Sequence, residues 1–450
     1  MVHGFLSIHI IFFSILFLWM GYRLLVFANG PIRSFTIPNF FMLKYLVFAY
    51  VGSVLYNVVF FQLELNYGMY SNLDYVFNVW LYSSLGIVLI PLGMLIANLF
   101  FKFDNNSLNE KFFSKPLKTF NVNLGVLLSI IIILLVSSFS LYIYRSIIGE
   151  LPIIHVFSGT NEAVLALMRS DAGNNFSGKL HWFKFLIGAS SKFMLIILFF
   201  NKRRNFIWKF LFSICLFYVL FISVMNLNKA PIIDLILLLF VSGIIQKKKI
   251  NLKLIFGLSI TVFFLLIMMY VFFMGQADKN IITIFKIIFH RVFVSQIVPF
   301  YWYQDMQSSI GFLMGSSFPN PGGFLPFENF QITTKAFNHA FPAKVSTGLV
   351  GSLPTVFYAD WWANFGAFGA IFSMLLLGFI LQFLDLIFKS YVSINKSIIP
   401  IAYYVYLMFF MSKYVGTSYV GILFDFEFVL ISILAVILYF ISIFKFNSIK

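Results

Sequence analysis

The sequence predicts an all-α polytopic membrane protein of about eleven transmembrane helices, read as a single integral membrane domain over residues 1–450. Three observations predict it. Hydrophobic residues make up 61% of the chain and charged residues 10%, whereas a soluble domain carries about 25% charge. Mean hydropathy is +0.95. Apolar runs long enough to cross a hydrocarbon core of about 30 Å recur along the whole chain. So high an apolar and aromatic content excludes a disordered chain. The single cysteine, Cys215, excludes a disulfide framework and a cysteine-rich metal site.

Spans are expected over residues 5–27, 36–62, 76–101, 121–144, 182–201, 206–225, 231–246, 254–274, 366–388, 397–412 and 424–444. Phe, Ile and Leu occur all round each of them, as in a helix solvated by lipid or buried in a bundle. No secretory cleavage site follows the first span, which is expected to be retained. Charge sets the orientation. Arg33, Lys102, Lys115, the cluster Lys202, Arg203 and Arg204, the cluster Lys247, Lys248 and Lys249, then Lys389, Lys396 and Lys450 fall on connections that share one side. Basic connections stay in the cytoplasm, so the N-terminus is expected outside and the C-terminus inside. Nearly all of the net charge of +16 is accounted for by this topology. That argues against a nucleic-acid partner.

The cytoplasmic connections are short and basic, with no room for a nucleotide-binding domain. No GxxxxGKS phosphate loop occurs, which argues against an ATP-driven pump. Two substantial connections fall outside, 145–181 and 275–365. The second is dense in aromatics, among them Phe300, Tyr301, Trp302, Tyr303, Trp361 and Trp362, and is expected to be ordered. Its opening, 280–298, predicts an amphipathic interfacial helix. Thr283, Lys286 and His290 share one face with Arg291 beside them, and Ile282, Phe285, Ile288, Phe289 and Val292 form the other. Pro319, Pro321, Gly322, Gly323 and Pro326 then break the chain into an irregular cap. Internal repeats and low-complexity tracts are absent.

Cations on the outer side run against the topological bias, so Arg169, Lys229, Arg291 and Lys413 stand out. In a partly desolvated cleft two unit charges 4 Å apart are worth roughly 4 kcal/mol at an effective dielectric of about 20. An exposed pair is worth about 0–1 kcal/mol. Such a cleft is where these residues would hold a phosphate group, and arginine adds bidentate geometry. Each has a plainer alternative. Arg169 would pair with Asp171 or Glu162, Arg291 would snorkel to headgroups, Lys229 would pair with Asp234, and Lys413 would only mark topology. His339 and His290 are the general-base candidates, because imidazole titrates near neutral pH. Lys344 lies close to His339 in sequence, and Glu328 and Asp360 flank the loop; Lys344 and Glu328 join the cations as substrate-binding candidates. Trp302, Trp361 and Trp362 are expected in an aromatic belt, with stacking on sugar rings as the alternative. Asp425 and Glu427 read as an acidic helix start, with a metal or base site as the alternative. There is no HExxH and no Cys–His cluster, so no metal site is assigned.

Four stretches in order resemble bacterial O-antigen polymerases, the Wzy-type oligosaccharide repeat-unit polymerases. ALMRSDAGNNFSGKLHWFKF (166–185) is an outer loop whose arginine leads into a span. NLNKAPIIDLILLL (226–239) puts a basic residue at the outer mouth of a helix. GSLPTVFYADWWANFGAFGAIFSMLLLGFI (351–380) takes the long loop back into the membrane, and FFMSKYVGTS (409–418) puts a basic residue at the outer end of the penultimate span. The order is more distantly similar to that of O-antigen ligases. The resemblance covers most of the chain as architecture. It implies a GT-C-like membrane glycosyltransferase fold in the bacterial cell membrane with an extracytoplasmic active site. The implied donor is a polyprenyl-diphosphate-linked oligosaccharide, and the acceptor is another lipid-linked repeat unit. No cofactor is implied; a chain-length-regulating membrane protein is an implied partner. The alternatives are ligation of finished glycan and, in a different class, a polysaccharide transporter or flippase. The transporter predicts internal repeats and charges inside the bundle.

Overall fold

The computed structural model is helical, with no strand among the described residues. These are 2–31, 35–60, 72–102, 124–157, 178–202, 205–227, 230–247, 281–323, 326–346, 350–394 and 398–443, with isolated residues in the segments between. Nine helices among them are long and apolar enough to cross a membrane, which makes the chain a multi-pass membrane protein. They are α1 (Val2–Asn29), α2 (Ile37–Val58), α3 (Leu73–Phe101), α4 (Leu124–Ile148), α5 (Leu180–Asn201), α6 (Phe206–Val224), α11 (Phe357–Ile394), α12 (Ile398–Ser412) and α13 (Phe426–Ile443). Between α6 and α11 lie α7 (Ala230–Lys247), α8 (Ile281–Phe289), α9 (Pro299–Ile310) and α10 (Ile332–Ala340). The expected span 231–246 is therefore present as α7, an apolar helix shorter than the nine. The expected span 254–274 lies largely outside the described residues.

Packing divides the chain into two units. The first holds Met1–Glu110, Phe285–Ile387 and Phe410–Phe424, and the second Lys111–Ile284, Phe388–Phe409 and Asp425–Lys450. In the first, α1 lies along α3, where the Trp80 indole donates to Ser14 Oγ at 2.8 Å. Tyr45 Oη donates to the Ser83 carbonyl at 3.0 Å, and Ser83 Oγ meets Tyr358 Oη at 2.6 Å, tying α2 and α11 to α3. At the crossing of α3 and α11 the glycines are reciprocal. A Cβ on Gly93 would overlap the Leu375 carbonyl, and one on Gly378 would overlap the Ile90 carbonyl. Only glycine lets the two backbones touch there, the small-residue contact on which helix pairs in lipid rely.

One end of this unit gathers helix termini. Thr36 caps α2, its Oγ1 accepting from the Asn39 amide at 3.2 Å, with Pro38 in the first turn. The Ile37 amide, which has no partner within α2, donates to Asp385 Oδ1 at 3.1 Å. Asn98 donates to the Ala28 carbonyl at 2.6 Å, and Gln382 donates to Asn98 at 2.9 Å. The ends of α1, α3 and α11 and the start of α2 thus share a level, as alternating crossings require.

The opposite end carries the long connection. There α8 continues into a π-helical turn, His290–Val294, and meets α9 at a 60° bend. This corrects the expected helix 280–298. The buried positions run Ile284 and Ile288 and then His290 and Val294, so the buried face changes side at the π turn. His290 is 7% exposed, while Thr283, Lys286 and Arg291 remain exposed; the expected polar face is split. A π turn inserts a residue into the ladder and breaks the 3.6-residue period from which that face was read. α11 is also broken: Gly366 has φ +62°, a value glycine adopts without strain. Its second rod begins where the expected span 366–388 begins.

In the second unit α5 is central, with Phe193 through Phe200 all buried. Ser137 Oγ meets Tyr218 Oη at 2.7 Å between α4 and α6, and Tyr403 Oη meets Ser432 Oγ at 2.6 Å. Cys215 is fully buried and donates to the Ser191 carbonyl at 3.6 Å.

Two outcomes are expected. Gly93→Val should lower stability in detergent by roughly 1–3 kcal/mol, the usual cost of overpacking, and an unchanged thermal melt would refute the backbone contact. A membrane-impermeant maleimide should label Ala343→Cys on intact cells while Cys215 stays silent; labelling only after permeabilisation would reverse the assignment of sides.

Candidate functional site

The long connection is built on α9 and α10. Pro299 occupies the first turn of α9, and Gly311, at φ +76°, ends it. The helix buries Phe300, Tyr301, Tyr303, Gln304 and Met306. Gln304 fixes its rotation, accepting from Asn78 at 2.9 Å and donating to the Tyr75 carbonyl at 3.1 Å. Trp302 and Asp305 are three residues apart and so lie on neighbouring positions of the opposite face. α10 buries Ile332, Ala336 and Phe337 and leaves Lys335, Asn338 and His339 outward.

These two faces meet. His339 Nε2 lies 2.9 Å from Asp305 Oδ2, and the two side chains are 40% and 38% exposed. The Trp302 ring centre is 6.1 Å from the imidazole, edge to face. A carboxylate that accepts from Nε2–H holds the neutral ring in one tautomer, with the Nδ1 lone pair available as a base. An aromatic face, an oriented imidazole and a carboxylate therefore occur together at an accessible surface.

The loop that follows α9 is pinned from α11. Asn364 Oδ1 accepts from the Gly315 amide at 2.8 Å, and its Nδ2 donates to Ser317 Oγ at 2.6 Å and to the Asp360 carbonyl at 2.8 Å. Ser317 Oγ donates to Asp360 Oδ1 at 2.6 Å. The buried Asp360 carboxylate is thus engaged in holding the loop. Further on, the Phe330 amide donates to the Ser316 carbonyl at 2.8 Å, and the Leu353 amide to the Thr333 carbonyl at 2.9 Å. The Pro/Gly-rich cap turns at Pro321–Gly323. Trp361 packs on Phe318 at 5.0 Å and on Tyr419 at 6.0 Å, and Trp362 lies between Phe300 at 5.5 Å and Phe312 at 6.0 Å.

Gln296 joins the segments that carry two of the expected cations. Its Nε2 donates to the Gly416 carbonyl at 3.0 Å, and its own carbonyl accepts from Thr355 Oγ1 at 2.9 Å. Arg291 is exposed on the π turn before it. Lys413 is half-buried, with Nζ 4.0 Å from the Phe410 ring centre and 5.4 Å from that of Tyr414. Lys344 is exposed, its Nζ 4.6 Å from the Phe341 ring centre. Glu328 is exposed, and His290 is buried in the π turn. Arg169 and Lys229 lie outside the described residues. In the second unit, Asp425 Oδ1 caps α13 by accepting from the Phe428 amide at 3.0 Å, and Glu427 accepts from Tyr406 Oη at 3.3 Å. Among the described residues no three His, Cys, Asp or Glu side chains gather as a metal site.

Asp305, Gln296 and Asn364 were not expected from sequence. Asp305 and His339 are 34 residues apart, and no local pattern links them. Comparison with protein-family models, with curated proteins and with solved structures finds no match to the chain.

Asn364→Ala removes the partner of the Gly315 amide and one of the two partners of Ser317 Oγ. It should cost about 1–3 kcal/mol and speed proteolysis within 311–356; wild-type cleavage kinetics would count against the pin.

Proposed function

We propose that the protein is an oligosaccharide repeat-unit polymerase with a GT-C-like scaffold, working at the outer face of a bacterial cell membrane. The observation that carries this reading is the His339–Asp305 pair beside Trp302, 2.9 Å across and open to solvent. Sugar rings stack on aromatic faces, and an acceptor hydroxyl needs a base within hydrogen-bond reach. The exposed pair supplies both without a rearrangement of the fold.

In the reaction the acceptor hydroxyl attacks the anomeric carbon of the donor oligosaccharide. The carbon–oxygen bond to the diphosphate breaks, and the polyprenyl diphosphate leaves with the electron pair. The hydroxyl proton passes to His339 Nδ1. Asp305 offsets the imidazolium charge that results. Negative charge grows on the leaving phosphate oxygen, and fixed cations stabilise it. Arg291 and Lys413 are the described candidates, on segments that Gln296 ties together; Arg169 and Lys229 remain candidates from sequence. The scarcity of charge in the chain favours this role, since cations on the outer side contribute nothing to topology.

The test is gene deletion followed by gel analysis of surface glycan. Glycan capped at one repeat unit supports the polymerase. Absent surface glycan with accumulated lipid-linked polymer identifies a ligase instead, and a repeat unit trapped on the cytoplasmic side identifies a flippase. His339→Ala should lower polymer yield by roughly 100-fold or more, the ordinary contribution of a general base. Asp305→Asn should lower it less. Arg169→Ala or Arg291→Ala should leave the protein inserted and shift glycan to single repeats; normal chain-length ladders from both would refute those two assignments.

A further inference from the structure

The second unit holds a cavity of about 360 Å³ that the catalytic reading does not use. It opens where α4 and α6 end and α5, α7 and α13 begin, with Tyr144, Lys184, Lys192, Asn226, Pro231 and Glu427 in its lining. The charge pattern puts these helix ends outside. Lys184 and Lys192 stand eight residues apart on α5, roughly 12 Å along the axis, so cationic groups are spread along the depth of the cavity. Lys184 is exposed at the mouth and Lys192 is half-buried within.

Three features mark this as more than a packing gap. Neither lysine has a carboxylate within 4.0 Å among the described residues, although Glu427 lines the same space. The segment that carries Lys184, Lys184–Ala189, is π-helical in an otherwise α-helical span; such turns recur at functional sites because they displace a side chain from the regular face and loosen the ladder. Asn226 Oδ1 is buried without a hydrogen-bond partner while its Nδ2 donates to Tyr144 Oη at 3.3 Å. A buried acceptor left open costs free energy unless something donates to it.

We propose that this cavity binds the phosphate-bearing headgroup of an anionic lipid from the outer leaflet. Lys184 and Lys192 hold the phosphate oxygens, and Asn226 Oδ1 accepts from a headgroup hydroxyl or a bridging water. Size supports a headgroup: 360 Å³ is at the lower end of small-molecule pockets, about 300–1,000 Å³, and is too small for an oligosaccharide repeat. Apolar walls from Leu180, Phe183, Ile187 and Ile222 suit the first methylenes of a chain. The headgroup could come from a bulk phospholipid or from a polyprenyl carrier. The inference rests on the cavity and does not require glycosyl transfer.

Native mass spectrometry on the full-length protein in detergent tests it, with phosphatidylglycerol, a polyprenyl phosphate and phosphatidylcholine added in turn. The anionic lipids should bind about tenfold more tightly than phosphatidylcholine, the scale of one or two charge-assisted hydrogen bonds. The paired substitution Lys184→Gln and Lys192→Gln should abolish that preference, and Lys192→Arg should keep it. Glu427→Gln should strengthen binding by removing a competing anion. Phosphatidylglycerol bound as well as the polyprenyl phosphate assigns the bulk lipid as source; a preference for the polyprenyl phosphate assigns the carrier. Equal binding of phosphatidylcholine, or an undiminished preference in the paired variant, overturns the proposal. If the paired variant does not fold, Lys184→Gln at the exposed mouth is measured by the same criterion. Normal polymer from His339→Ala, with the lipid preference of the wild-type chain intact, counts against the catalytic reading alone, and loss of preference in the paired variant with polymer intact counts against neither His339 nor Asp305.

Discussion

In hydrocarbon the helices gain nothing from hiding one apolar face against another, because lipid tails are as apolar as leucine. What fixes their arrangement is close backbone approach and a small set of polar bonds that cannot be satisfied by solvent. The first unit shows both. Gly93 and Gly378 bring α3 and α11 into contact, and Ser83 with Tyr45 and Tyr358 secures α2 against the same pair. Each such bond is worth little alone, about 0.6 kcal/mol on average. Their effect is to select one register from many packings that dispersion would tolerate. The placement of the loop end follows from that register, since Gln304 and Asn364 project from helices already held in it.

The site therefore depends on buried polar residues that do no chemistry. Asn364 sets the path of residues 313–317, Gln304 sets the rotation of α9, and that rotation aims Trp302 and Asp305 at α10. An oriented imidazole on a surface loop would otherwise average over many geometries. Here Gln304 and Asn364 project from the same helices that carry the aromatic contacts Phe300–Trp362 and Phe318–Trp361.

The spans were legible because their signal is a long apolar run, which needs no knowledge of neighbours. The span of α11 was expected from residue 366, whereas the helix starts at Phe357 and is broken at Gly366, and no break was expected there. Helix faces were less legible. His290 was assigned from a 3.6-residue period that the π turn interrupts, and nothing in its local sequence announces that turn. Pairings across the chain were invisible: Asp305 and His339 are joined by the fold and not by spacing. The cavity that Lys192 lines is formed by five helix ends that are distant in sequence. Cations could be counted from sequence; their surroundings could not.

The break at Gly366 has a mechanical meaning. A continuous rod from Phe357 to Ile394 would carry every change of bilayer thickness straight into the layer that holds Ser317 and Asn364. Spans commonly tilt to match thicker or thinner lipid, and the bend at Gly366 sets the lower rod at its own angle to the nine residues above it, which carry Asn364 and its hydrogen bonds. The loop that Asn364 holds is thereby separated by a bend from the rod that crosses the membrane.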